Sequence, residues 1–89
     1  MRGKRDISDK MRRDAILLCE LAGSGAERHL SITEARDATG SSDGASSVAI
    51  DARWAVRDLP MFDVDSYADT CLEAAALLRD GWSPGDPVE

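Results

Sequence analysis

Apolar residues recur at helical spacing from the tenth position onward: Met11, Ala15, Leu18 and Ala22 step by four, three and four, with Leu17 and Leu21 beside them. Ser8 stands where a hydroxyl accepts from the first free amides, so a helix over 9–22 is predicted, ended by Gly23 in the left-handed conformation. Between Ala15 and Ala22 only Glu20 is polar. That arc is wider than one packing partner needs, which makes this helix either central or paired with a second copy of the chain. Ser31-Ile32-Thr33-Glu34 then has the form of a capping box, with Leu30 and Ala35 placed to staple it, and predicts a short helix over 32–39 that stops at Gly40.

Ser41 to Ser47 contains no side chain large enough to anchor a core and reads as a loop. Val48 to Leu59 fits two periods. Ile50, Ala52, Trp54 and Val56 alternate like a strand, whereas Val48, Ala52, Ala55 and Leu59 follow a helix. Ser47 as N-cap, Pro60 as the stop, and three alanines with two arginines between them favour the helix. Beyond it, Val64, Ala68, Cys71, Ala75, Leu78 and Trp82 step by four, three, four, three and four, a heptad-like seam over 64–80 that Gly81 can terminate. The prediction is an all-α fold, a bundle of three or four short helices. Its first and last helices form the core pair through Leu18, Leu21, Cys71, Ala75 and Leu78. Residues 1–8 are expected to form a basic arm, 9–82 the single domain, and 83–89 an extended, flexible tail.

The 89 residues suffice for one small core, which must be aliphatic and alanine-rich because only 4% of the chain is aromatic. No apolar run approaches the roughly 20 residues of a membrane span, and the start Met1-Arg2-Gly3-Lys4-Arg5 leads into Asp6 rather than an apolar secretion segment. A cytoplasmic location follows as the expectation, with Cys19 and Cys71 as reduced core residues rather than a disulfide. The net charge of −6 disfavours indiscriminate binding to nucleic acid or anionic lipid. Its distribution is uneven: residues 1–13 hold six of the eleven basic residues against two carboxylates, net +4, which leaves −10 for the rest.

Candidate chemistry is sparse. His29 is the single histidine and has no cysteine at ligand spacing nearby. Asp63-Val64-Asp65 opens like a calcium loop, but Ala68 and Ala74 stand where that loop requires glycine and glutamate. Gly23-Ser24-Gly25 lacks the lysine of a phosphate loop and the glycine pattern of a dinucleotide turn. No metal, cofactor or catalytic group is therefore expected, and the chain reads as a non-enzymatic module.

Two binding surfaces remain. Asp65, Asp69 and Glu73 recur every four residues, about 6 Å apart along a helix, with Asp80 extending the field. Such a row repels itself, and a basic partner surface relieves the repulsion. Trp54 and Trp82 supply candidate aromatic anchors for the same protein partner, although Trp82, just past the helix stop, is better placed to fold back over the helix end. The alternative is a helix-turn-helix-like DNA-binding module spanning Leu30 to Arg57, in which Arg53 and Arg57 touch phosphates and Arg2, Lys4 and Arg5 of the arm add grip. Against it, the turn read as Ser41 to Ser47 is longer than the three or four residues such motifs use.

The closing stretch Cys71-Leu72-Glu73-Ala74-Ala75-Ala76-Leu77-Leu78-Arg79-Asp80-Gly81-Trp82-Ser83-Pro84 resembles the C-termini of small phage and prophage accessory proteins. The resemblance covers 14 of the 89 residues and carries over no functional residue. It implies a virus-encoded protein, of a class that includes acidic inhibitors of host nucleic-acid-binding machinery such as anti-CRISPR proteins.

Overall fold

Serine hydroxyls set the start of each helix in the computed structural model, which describes residues 7–24, 30–59 and 66–87. In helix α1 (Asp9–Ser24) the Ser8 hydroxyl accepts from the Met11 amide at 3.1 Å. In α2 (Ile32–Thr39) the predicted capping box is complete: Ser31 Oγ accepts from the Glu34 amide at 3.0 Å, and Glu34 Oε1 accepts from the Ser31 amide at 2.8 Å. Gly40, at φ +71°, ends α2 as expected. Helix α3 (Asp43–Arg57) is capped by Ser42, and α4 (Tyr67–Arg79) by Ser66. The described residues are helical throughout their regular structure, so the all-α reading holds and the ambiguous stretch from Val48 is helix. None of their helices is long and apolar enough to cross a membrane.

Three expectations about boundaries need correction. The stretch read as a loop over 41–47 is largely the first turn of α3, whose N-cap is Ser42 and not Ser47. Small residues there are packing devices: Ala45 and Ser46 are buried, and a Cβ on Gly44 would come within 2.9 Å of the Met11 Cε of α1. Gly23 does not end α1, which continues through it to Ser24. A Cβ on Gly23 would lie 2.7 Å from Leu72 Cγ and 2.8 Å from the Ala68 carbonyl oxygen, so glycine is required by the close approach of α4 rather than by a left-handed cap. Helix α4 begins at Tyr67 rather than 64, with Val64 and Asp65 outside the described residues.

Among the described residues, half of the sixteen buried apolar side chains are alanine, which lets the helix axes approach closely and makes local fit decisive. Helix α1 is central: it packs on α2, α3 and α4, and its most extensive partner is α4. Leu18, Cys71, Ala75 and Leu78 of the predicted core pair are fully buried, and Leu21 is half-buried against them.

The chain after α4 closes into a turn rather than running out as an extended tail. Gly81 adopts φ +103°, its amide donates to the Leu78 carbonyl and the Trp82 amide to the Leu77 carbonyl, which is a Schellman ending. Trp82 Nε1 donates to the Asp86 carbonyl at 3.1 Å, and Asp86 Oδ2 accepts from the Ser83 amide at 2.9 Å. Arg12 of α1 then binds this ending, donating to the carbonyls of Leu78 (3.0 Å) and Trp82 and to Ser83 Oγ (2.8 Å). Cationic charge at a helix C-terminus also complements the helix dipole.

Candidate functional site

The outward side of α3 follows from its buried side. Ala45, Val48, Ala49, Ala52 and Val56 face the core, which at 100° per residue turns Ser47 and Trp54 to the opposite side. Trp54 is 53% exposed, the most exposed large apolar side chain among the described residues. Two guanidinium groups approach its ring, that of Arg53 at 5.7 Å and that of Arg57 at 5.4 Å from the ring centroid. Both distances allow a cation–π attraction.

Arg53 is held from below. Its Nε donates to Thr70 Oγ1 at 2.9 Å, and its guanidinium lies 4.0 Å over the Tyr67 ring. Thr70 in turn donates to the Tyr67 carbonyl, and the Tyr67 hydroxyl accepts from the Ile32 amide at 3.0 Å, one of the free amides at the start of α2. A chain of contacts thus joins α2, α4 and α3 and ends at Trp54. Sequence reasoning gave Arg53 and Arg57 only a phosphate-binding role and did not single out Tyr67. The spacing of Trp54 and Arg57, three apart on a helix, is the signal that would have revealed the pair.

The other expected site residues scatter. Asp69, Glu73 and Asp80 are exposed on α4, whereas Asp65 lies outside the described residues. Trp82 is folded back over the end of α4 rather than placed as an anchor: it is only 8% exposed and its indole nitrogen is bonded within the C-terminal turn, so it offers a partner almost no surface. Of the residues assigned to DNA, Arg57 is exposed, Arg53 is half-buried and tied to Thr70, and Arg2, Lys4 and Arg5 lie outside the described residues.

The turn between α2 and α3 is Gly40-Ser41-Ser42, three residues and not seven. The length objection to a helix-turn-helix arrangement therefore fails. Its charge is another matter. Glu34, Asp37, Asp43 and Asp58 are exposed on this helix pair, and Arg36 is engaged by Asp37 and Asp43.

The two thiols are free and buried in the core. Burial pushes Cys19 up to about 12, with the neighbouring Cys71 adding to the shift. Burial likewise raises Cys71 to about 11, although Arg53 opposes it. Protonated thiols in such surroundings are poor nucleophiles. A recess of about 260 Å³ lined by Ala55, Asp58, Leu59 and Asp86 is smaller than the roughly 300–1,000 Å³ of small-molecule pockets. The described residues contain no cluster of three or more metal-ligating side chains. Comparison with family models, curated proteins and solved structures finds no match for the chain.

Proposed function

We propose that the protein is a small non-enzymatic interaction module that engages another protein through the outer surface of α3 and the acidic side of α4. The observation that carries this reading is Trp54, an indole more than half exposed in a chain whose other tryptophan is buried. Aromatic residues and arginines dominate the energetics of protein interfaces, and here an exposed indole stands flanked by two guanidiniums. Asp69, Glu73 and Asp80 serve at the edge of this surface, steering a partner with complementary charge. Such a module acts in the cytoplasm, as a virus-encoded inhibitor of a host nucleic-acid-binding protein would. Affinity capture with the wild-type chain, with Trp54→Ala and with the double variant Asp69→Lys, Glu73→Lys tests the reading. A protein retained by the wild type and lost with both variants supports it; equal retention by all three rejects it.

The three-residue turn favours a second reading, a helix-turn-helix-like DNA-binding module that uses the basic arm and Arg57. The carboxylates exposed on α2 and α3 oppose a polyphosphate backbone. Titration of duplex DNA at several salt concentrations separates the two. A steep salt dependence that disappears when residues 1–8 are removed would establish the DNA reading.

A further inference from the structure

We infer that the Trp54 site takes a protein segment that offers an apolar socket bordered by carboxylates on the side facing α4; this rests on the protein-interaction reading. Helical geometry divides the surroundings of the indole. Arg53 and Arg57 lie on one flank, toward Thr70 of α4, while Asp51 and Asp58 lie on the other. The side chain of Arg57 is exposed, and among the described residues its ring contact with Trp54 is accompanied by no hydrogen bond. Arg53 is engaged within the fold, with Nε on Thr70, its plane on Tyr67 and its guanidinium facing the Cys71 thiol, so the donors left to offer are those of Arg57. A fork of planar donors beside an apolar knob matches a carboxylate, which accepts two parallel bonds from a guanidinium. A basic segment brought to the same flank meets like charge, and a purely apolar one strips water from two cations without replacing it.

Arg53 also explains why the knob stands where it does. Its contacts to Tyr67 and Thr70 hold the guanidinium beside the indole before any partner arrives. The acidic row of α4 and this site are thus distinct in chemistry. Asp69, Glu73 and Asp80 meet positive charge, and the Trp54 socket meets negative charge.

A random peptide library displayed on phage, selected on the immobilised full-length chain and counter-selected on Trp54→Ala, provides the test. Selected peptides are expected to place an aromatic or aliphatic residue beside Asp or Glu. A synthetic peptide of the consensus should bind about 30-fold more weakly to Trp54→Ala, the loss typical of a central aromatic anchor. It should bind at least about tenfold more weakly to Arg57→Glu. Exchanging the acidic residue of the peptide for lysine should restore binding to Arg57→Glu, a result that partial unfolding of the variant cannot produce. Circular dichroism of Trp54→Ala, expected to match that of the wild type, checks that the variant keeps its helices. A basic consensus, peptides indifferent to Trp54, or failure of the charge exchange overturns the socket while leaving the broader protein-interaction reading in place. A library that yields no ligand also overturns the socket, and oligo-dT displacing the peptide from Trp54 overturns both readings.

Discussion

Around Trp82 the polar groups close on one another: its indole nitrogen reaches the Asp86 carbonyl, its amide the Leu77 carbonyl, and Arg12 crosses from α1 to the carbonyls at the end of α4. Around Trp54 they do not. The indole is more than half exposed, and the exposed Arg57 beside it binds only the ring among the described residues. Both regions pair an arginine with a tryptophan near a helix end. The first uses that chemistry to complete the fold, whereas the second leaves it directed outward. The contrast teaches that residue type alone does not separate a tryptophan built into the fold from one left facing outward. What separates them is whether the neighbouring donors already have acceptors.

The sharpest way to break this comparison is to remove the support of the first region. Leu18→Ala, in the fully buried centre of the α1–α4 pair, is expected to cost about 2–5 kcal/mol, a large share of the stability of so small a domain. Urea melts of the variant check it, and a loss under about 1 kcal/mol would mean that α1 and α4 do not form the core. Arg12→Met comes next. It keeps the stem and removes the donors to Leu78, Trp82 and Ser83, for an expected loss of about 1–3 kcal/mol, chiefly through the Trp82 carbonyl, since that of Leu78 keeps the Gly81 amide. Hydrogen exchange should show the amides of Gly81 to Ser83 losing protection before those of α2. Gly23→Ala ranks third. The gain in helix propensity of about 1 kcal/mol is opposed by a Cβ 2.8 Å from the Ala68 backbone oxygen, which must push α4 away at a cost of about 1–3 kcal/mol. A net destabilisation, measured as a lower Tm, is the expected sign.

These positions also show how far the sequence carries the fold. Periodicity exposed the α1–α4 pair because Leu18, Cys71, Ala75 and Leu78 are apolar at helical spacing, and the capping box at Ser31 was visible because two side chains declare it. Gly23 and the run from Gly44 to Ser46 were misread for one physical reason. Small residues carry little hydrophobic signal and usually mark turns, yet in an alanine-rich core they are what allows helices to touch. The turn length between α2 and α3 was misjudged as a consequence, and with it the strength of the helix-turn-helix reading. At the candidate site, the position of Trp82 just past a helix stop already favoured its folding back over the helix end, whereas the bonds that fix each tryptophan's neighbours, from Arg12 to Ser83 and from Arg53 to Thr70, are made across the fold and leave no local signal.

The thiols probe the core where α1, α3 and α4 meet, without disturbing it at neutral pH. Burial raises both Cys19 and Cys71 above the ordinary value of 9.0, so the folded chain keeps protons that the unfolded chain releases. Stability is therefore unaffected below about pH 9. It falls as the pH rises through the window between 9 and the folded values near 11 and 12. Equilibrium unfolding measured from pH 7 to 11 should show this decline, and Cys19→Ala should make it shallower. A thiol reagent at pH 8 should label the native protein no faster than the chain opens.

The smallest effect belongs to the open region and is the most discriminating for that reason. Trp54→Ala removes the largest exposed apolar side chain but leaves the Arg53 bond to Thr70 and its stacking on Tyr67 intact. A surface truncation of this kind shifts stability by no more than about 0.5 kcal/mol. The two cation–π contacts lie in water, at the weak end of their range, and Arg53 keeps Tyr67 when the indole is gone. Urea titrations of Trp54→Ala and wild type, followed by circular dichroism so that the missing fluorophore does not matter, should give midpoints that nearly coincide. A loss of 2 kcal/mol or more, as large as that of a core residue, would make Trp54 a structural tryptophan like Trp82. The indole would then be holding α3 to α4, and its exposure would no longer argue for a partner.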